Sequence, residues 1–382
     1  MAHFSPKPAT NSSELPDPPS GYDGPCIASG DAQYSASPSQ NRSSIVKLSM
    51  LYYDTVTSDT EAYERAMQSH VPHDVQFGYD HFILRRGLVA GLWTKQAQIL
   101  QFLIQELAKA PDQRYEWIFW HDADSVLVNH NIPLEIFLPP PGWEHINWLV
   151  SNDLSGLNAG VYLVRVCEWA VHFFAASLSY PLYHADKHLL HDEQSAQDLL
   201  LREARWRNAT MHLPQRWFNA YHNFGTDKDV PPEWRWENGY AEPGDMLVHF
   251  PGTVPEFRAH VMDEWLQKKR ERADEYCPPL DRTSYVQDVA SFWADEAPRE
   301  EEVQAAFWRH YHLMSTVAPA QDRLKEQEQK AARERLGEGA SREVVRQEMQ
   351  RITERWNEKK IEALREADEA ALADGKVYLN DP

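Results

Sequence analysis

Cysteine is scarce in this chain of 382 residues. Cys26, Cys167 and Cys277 stand far apart with no Cys-x-x-Cys pair. The sequence therefore encodes neither a structural zinc site nor a disulfide framework, although one bridge can form and leave a thiol over. Long apolar runs are missing too. Nowhere do eighteen apolar residues follow one another, and the first thirty residues lack the basic and apolar regions of a signal peptide. As written, the chain is expected to be soluble, with neither membrane association nor targeting encoded. Basic residues are outnumbered, 38 Lys and Arg against 58 Asp and Glu, for a formal net charge of -20. That balance opposes binding to a phosphate backbone and no basic patch offsets it, so nucleic acid is excluded as a partner.

What is present is enough apolar material, 42% of the residues, for a sizeable core in one large domain with extensions or in two domains. Residues 1–44 are rich in Pro, Ser, Gly and Asn and poor in aliphatic side chains, which predicts a disordered tail or stem. Ile45 to Tyr53 reads as the first core strand, Glu61 to Ser69 as helix, and Phe77 to Phe82 as a short second strand. Ala97, Leu100, Leu103, Ile104 and Leu107 recur at helical spacing within 91–110 and stop at Pro111. The run Trp117-Ile118-Phe119-Trp120 then reads as a strand buried on both faces. Strand, helix and strand in succession predict a mixed, mainly parallel α/β sheet flanked by helices.

Further strands are expected at Ile146 to Ser151 and Gly160 to Arg165, around a polar loop from Asn152 to Asn158, with helices over Cys167 to Ser179 and Asp192 to Ala204. Asp245 to Phe250 reads as the last core strand. The expected units are the tail 1–44, a domain over 45–260, a helical extension over 261–320 that packs on or leads from it, and a charged helical tail over 321–382. Val345, Met349, Ile352 and Trp356 mark a narrow apolar stripe on that tail. It predicts a solvated or loosely docked helix, with a short coiled coil to a second chain, like or unlike, as the alternative.

Candidate chemistry begins where the Trp117 to Trp120 run ends in His121-Asp122-Ala123-Asp124. Two carboxylates one residue apart at the carboxyl end of a core strand suit Mg²⁺ or Mn²⁺ bridging to substrate phosphates. A solvated turn would read the same way. Leu157-Asn158-Ala159-Gly160 offers either an amide for a sugar hydroxyl or an ordinary turn. Asp192-Glu193-Gln194 opens a helix, with Asp192 as its expected N-cap and Glu193 and Gln194 placed to face a cleft. His249 ends a strand, and a neutral imidazole is a borderline donor that Mn²⁺ accepts more readily than Mg²⁺.

In order along the chain, Gly78-Tyr79-Asp80, Lys95, Trp117 to Asn129, Gly156 to Val161, Asp192 to Ala196, Pro214 to Tyr221 and Gly244 to Gly252 resemble the fungal galactosyltransferase and α-1,6-mannosyltransferase family, which includes the plant xyloglucan xylosyltransferases. The resemblance covers roughly residues 45–260. It implies a GT-A fold for that domain, a nucleotide-sugar donor such as UDP-galactose or GDP-mannose, a glycan acceptor, Mn²⁺ with Mg²⁺ possible, and transfer with retention of configuration. It further implies that Asp122, Asp124 and His249 hold the metal and that Asp122, Ala123, Lys95, Asn158 and Asp192 line the donor site. Asn158 is expected in a loop near the donor sugar. Glu193 and Gln194 stand beside the reacting carbon, where front-face attack by the acceptor is preferred to a covalent step through Glu193.

Some features depart from the family. His121 stands where an apolar residue is expected, and Thr253 and Val254 follow His249-Phe250-Pro251-Gly252 where relatives carry cysteine and a basic residue, leaving Arg258 as the candidate phosphate contact. Members usually carry a membrane anchor and glycosylate proteins in the Golgi lumen. No anchor is encoded here, while Asn11-Ser12-Ser13, Asn41-Arg42-Ser43 and Asn208-Ala209-Thr210 are compatible with that location. Two rivals are a metal-dependent phosphohydrolase, on the pairs His73-Asp74, His121-Asp122 and His191-Asp192, and a catalytically weak relative acting as a structural subunit of a glycosyltransferase complex.

Overall fold

The computed structural model describes residues 32–33, 42–153, 155–224, 239–337 and 340–373. Most of the expected tail, with Asn11-Ser12-Ser13 and Asn41 of the glycosylation sequences, lies outside the described residues. The chain runs β1 (Ala32–Gln33), β2 (Ile45–Met50), α1 (Ser58–Ser69), α2 (Val71–Phe77), β3 (Asp80–Leu84), α3 (Trp93–Leu107), β4 (Trp117–His121) and β5 (Ser125–Leu127). Next come β6 (Trp148–Asp153), β7 (Gly156–Arg165), α4 (Glu168–Tyr183), α5 (Asp192–Leu201), α6 (Ala204–Arg207), β8 (Thr210–His212), β9 (Ala220–Tyr221) and β10 (Leu247–His249). Five α-helices close the described chain: α7 (Pro255–Glu271), α8 (Ala273–Tyr276), α9 (Tyr285–Ser291), α10 (Glu300–Leu336) and α11 (Arg342–Ala373), with a π turn at Phe292–Glu296 between α9 and α10.

A central sheet ordered β1-β3-β2-β4-β7-β6-β8 is flanked by helices, giving a mixed α/β fold. β3–β2, β2–β4 and β6–β8 pair in parallel, whereas β4–β7 and β7–β6 are antiparallel. Period-two alternation explains why β4 is apolar throughout: Trp117 and Phe119 enter the core on one face, Ile118 and Trp120 the core on the other. The second strand begins at Asp80, not Phe77, because α2 ends on Gly78 at φ 73°, a left-handed cap that turns the chain into β3. β6 and β7 run on into one hairpin, with Ser151 opposite Asn158, so Asn158 sits in a strand and not in the expected loop.

Two further expectations need correction. Helix α3 buries Lys95, Gln98, Phe102 and Glu106, while Ile104 is 54% exposed. The buried face is rotated from the purely apolar stripe because its polar residues are consumed inside: Gln98 donates to Ser49 O and Glu106 accepts from Tyr115 N. The strand at 247–249 is not part of the large sheet. It centres a second, three-stranded sheet ordered β5-β10-β9, which α1 and α7 cover with Ala62, Ala66, Val261, Met262 and Trp265.

The chain beyond 260 is packed on this body. Tyr285, Val289, Phe292, Trp293 and Ala297 share one core cluster with Phe119, Leu149 and Met211. Helices α10 and α11 form an antiparallel hairpin, held by Arg309–Asp368 at 2.7 Å, Lys360–Asp322 at 2.8 Å and the Arg355–Glu328 pair. Within the stripe Ile352 is fully buried, and Trp356 Nε1 donates to Glu328 Oε2 at 2.7 Å, so α10 of the same chain meets the apolar face.

An unexpected feature is a buried polar cluster beneath β2, β3 and β4. Lys47 Nζ contacts Asp74 Oδ1 at 2.5 Å and His73 Nδ1 at 2.7 Å, His81 Nδ1 lies 3.1 Å from Asp74 Oδ2, and His81 and His121 bring their Nε2 atoms to 3.0 Å. His70 stacks on His121 at 3.9 Å with both ring nitrogens unpartnered. Burial, reinforced by neighbouring cationic and imidazole groups, holds His70, His73 and His121 well below the usual imidazole range. These rings stay neutral in the fold but protonate when unfolded. The stability they permit is therefore present above the free imidazole pKa of about 6.5 and is lost as pH falls through it. The urea midpoint should drop from about pH 7 to about pH 5, with a shallower dependence in His70→Phe. A midpoint that is flat over that range would contradict the neutral cluster.

Candidate active site

The Asp-x-Asp is the turn between β4 and β5. Asp122 is pinned by its N–H to Gly160 O at 2.8 Å and by Trp120 Nε1 to Oδ1 at 2.8 Å. Antiparallel pairing of β10 with β5 then sets His249 opposite Ser125, and Phe250 N donates to Asp124 O at 3.0 Å. His249 Nε2 consequently lies 3.3 Å from Asp124 Oδ1. One donor atom each from Asp122, Asp124 and His249 fall within 4.8 Å of one another, the one such group of His, Cys, Asp or Glu among the described residues.

The tautomer of His249 follows from a chain of hydrogen bonds anchored in the backbone. Gly160 N donates to Asn158 Oδ1 at 2.9 Å, which marks that atom as the amide oxygen. Asn219 Nδ2 donates to the same oxygen at 2.8 Å and to Ser151 Oγ at 2.9 Å, so Asn219 Oδ1 is the atom 2.8 Å from His249 Nδ1. With Asn219 Oδ1 as acceptor, His249 Nδ1 is an N–H donor, which leaves Nε2 as the ring atom turned toward Asp124. Two hard oxygen donors and one neutral imidazole fit a divalent ion of the Mn²⁺ type. The ring lies against Gly160, where an added Cβ would stand 2.1 Å from His249 Cε1.

Around this group the other expected residues fall at different distances. Lys95 Nζ bridges Asp122 Oδ1 at 3.1 Å and Glu193 Oε1 at 3.0 Å and donates to Ala159 O at 2.9 Å. Burial opposes its charge, but the two carboxylates outweigh burial and hold the ammonium above its usual range. Glu193 is buried with Oε2 unpartnered, and burial raises its carboxyl although Lys95 counters. Gln194 Oε1 accepts from Ala159 N at 2.9 Å. Asn158 Nδ2 donates to Asp153 Oδ2 at 2.9 Å and Tyr221 OH at 2.5 Å. Ala123 packs with Leu51, Met67 and Ile83 and contributes apolar support.

Asp192 does not cap its helix as expected. The N-cap is His191, whose side chain makes no cap hydrogen bond, and Asp192 is exposed at φ 43°. Asp tolerates that left-handed geometry better than most residues. Arg258 stands close by, held by Thr253 O and Tyr63 OH, each at 2.5 Å. Burial resists ionisation of Asp124, yet His249 and Arg258 hold its carboxyl below the usual carboxylate range. Asn219 and Tyr221 were present only as parts of a longer motif. Nothing in their local sequence assigns them to His249 and Asp153, since both contacts arise from strand placement.

Residues 142–260 match the sequence profile of the galactosyl transferase GMA12/MNN10 family. Over that segment the chain is similar to this family. The matched part contains Asn158, Glu193, Gln194 and His249, while Lys95, Asp122 and Asp124 lie upstream of it. The chain is 26% identical over 197 residues to "Probable alpha-1,2-galactosyltransferase gmh1" of Schizosaccharomyces pombe, covering 43% of this chain and 54% of that protein. It is 30% identical over 202 residues to "Probable glycosyltransferase 6" of Oryza sativa subsp. japonica, covering 46% of this chain and 40% of that one. The alignments thus span about half the length of these galactosyl transferase family relatives or less. A solved glycosyltransferase involved in the glycosylation of the major capsid of PBCV-1 superposes with a TM-score of 0.40 at 17% identity, over 58% of this chain and 98% of that one.

Gly160→Ala tests how the chain builds this group. The new methyl should push the imidazole off its position and weaken Mn²⁺ binding by about 10- to 100-fold, read by calorimetric titration, with the circular dichroism spectrum unchanged. Unaltered affinity would mean that His249 is not a ligand.

Proposed function

We propose that the protein is a retaining hexosyltransferase that moves galactose, or alternatively mannose, from a nucleotide-sugar donor to a glycan hydroxyl. The observation that carries this is the Asp122, Asp124 and His249 group, with His249 Nε2 turned into it, set in a chain whose residues 142–260 match a galactosyl transferase family. Asp122, Asp124 and His249 would hold Mn²⁺, or Mg²⁺, and the bound ion would supply Lewis-acid stabilisation to a diphosphate leaving group. Arg258 is placed to add positive charge to the same phosphates.

The remaining roles are assigned to groups of the chain itself. Lys95 bridges Asp122 and Glu193 and fixes both side chains. Glu193 and Asn158 orient sugar hydroxyls, and Asp192 lies at the rim of the donor site. Gln194, its oxygen anchored on Ala159 N, presents an uncharged polar edge to the reacting carbon, where an acceptor hydroxyl attacks on the face the phosphate leaves. Glu193 is a poor nucleophile in this setting because one oxygen is committed to Lys95. A lumenal Golgi location and a role in protein glycosylation go with the same proposal. The phosphohydrolase alternative is disfavoured. His73-Asp74 is spent on Lys47 and His81, and among the described residues the candidate metal group of His and Asp takes only His249 from the histidines.

Incubation with Mn²⁺ and UDP-galactose, UDP-glucose, UDP-xylose or GDP-mannose, with and without sugar acceptors, should release nucleoside diphosphate from at least one donor. The Asp122→Ala, Asp124→Ala double variant should lower that rate by about 100-fold or more. Equal rates in variant and wild type would defeat the enzyme proposal and favour a structural subunit. Glu193→Gln should retain measurable donor hydrolysis, whereas complete loss would favour the covalent step.

A further inference from the structure

The large sheet ends at β8, whose outer side is open to the start of α10. Between them lies a cavity of about 440 Å³, lined in part by Trp143, Arg207, Asn208, His212, Glu300 and Gln304. None of these residues belongs to the Asp-x-Asp site. Two polar atoms in its wall are sealed from bulk water and have no hydrogen-bond partner, His212 Nδ1 and Glu300 Oε2. Unpaired buried polar atoms are uncommon in folded proteins, and two that border one cavity point to a ligand with hydroxyl-like groups.

The chemistry of the wall narrows the ligand. Glu300 Oε1 accepts from the His212 backbone N–H at 3.4 Å, Asn152 Nδ2 donates to Gln304 Oε1 at 3.0 Å, and the Gln304 side chain also hydrogen-bonds the Glu300 carboxyl. Burial pushes the Glu300 carboxyl up to about 8 and the His212 imidazole down to about 3, so both are neutral at pH 7 and the acid donates as well as accepts. Arg207 carries the charge nearest by, with Nη1 committed to Arg202 O at 3.0 Å. Neutral donors and acceptors beside an indole match hydroxyls, which do both, arrayed over an apolar C–H face.

We propose that this cavity binds one neutral saccharide unit of a glycan, as a second carbohydrate site apart from the donor site. A connection between the two runs along β6: Asn152 holds Gln304, and the next residue, Asp153, binds Asn158 and Tyr221. A glycan anchored at the sheet edge would hold an acceptor chain on the enzyme between transfers. Saccharide binding at the cavity needs neither metal nor nucleotide, so it stands or falls separately from the transferase proposal.

The test is saturation-transfer NMR on metal-free, donor-free protein, using methyl glycosides of galactose, mannose, glucose and xylose and the trisaccharides of each at millimolar concentration. At least one should bind. Glu300→Leu and His212→Leu should each weaken that binding by about tenfold or more, through loss of hydrogen bonds to a hydroxyl. Asp124→Ala should leave it unchanged. Should either cavity variant fold poorly, Gln304→Leu gives the same readout. Absence of binding by every probe, binding that all cavity variants retain, or binding lost only in Asp124→Ala would overturn the proposal.

Discussion

His249 reaches Asp124 because β10 is zipped antiparallel to β5, the short strand that follows the Asp-x-Asp directly. That pairing is the constraint on which the rest of the site depends. It joins residues more than a hundred positions apart and, through Phe250 N on Asp124 O, fixes the turn on both sides. Gly160 leaves room for the ring, and Asn219 decides which nitrogen carries the proton. The second sheet is small, but it is clamped by α1 and α7, so His249 sits on a strand and the Asp-x-Asp turn is tied down at both ends by strands.

Charge gives the site its selectivity. Asp122, Asp124 and Glu193 set three carboxylates against Lys95 and the nearby Arg258. Without a divalent cation the balance is negative and would repel a diphosphate. With one bound it turns positive, so metal and donor are expected to bind in that order. Lys95 takes part from the buried face of α3, which explains why that helix turns polar residues inward at the expense of Ile104.

Much of this was legible in the sequence. The continuous run Trp117 to Trp120 announced a strand buried on both faces, and Asp122, Asp124 and His249, named from their motifs, lie together. What periodicity could not supply was the three-dimensional origin of each contact. Asn158 read as loop because Asn-Ala-Gly is a turn signal, yet β6 and β7 continue through it as a hairpin. The stripe around Ile352 read as a solvated or loosely docked helix, or as a coiled coil to a second chain, because its cover, α10, has no sequence feature that names it as a partner. His73 and His121 stood out only in His-Asp pairs and as a departure from the family, and nothing joined them to His70 and His81, since only packing brings the four together.

The most direct test of the metal centre is electron spin echo spectroscopy of the protein with one equivalent of Mn²⁺. The account predicts a single bound ion whose spectrum carries coupling to one imidazole nitrogen, absent in His249→Ala and retained in His121→Phe. Bound Mn²⁺ without nitrogen coupling, or coupling that survives in His249→Ala, would contradict it.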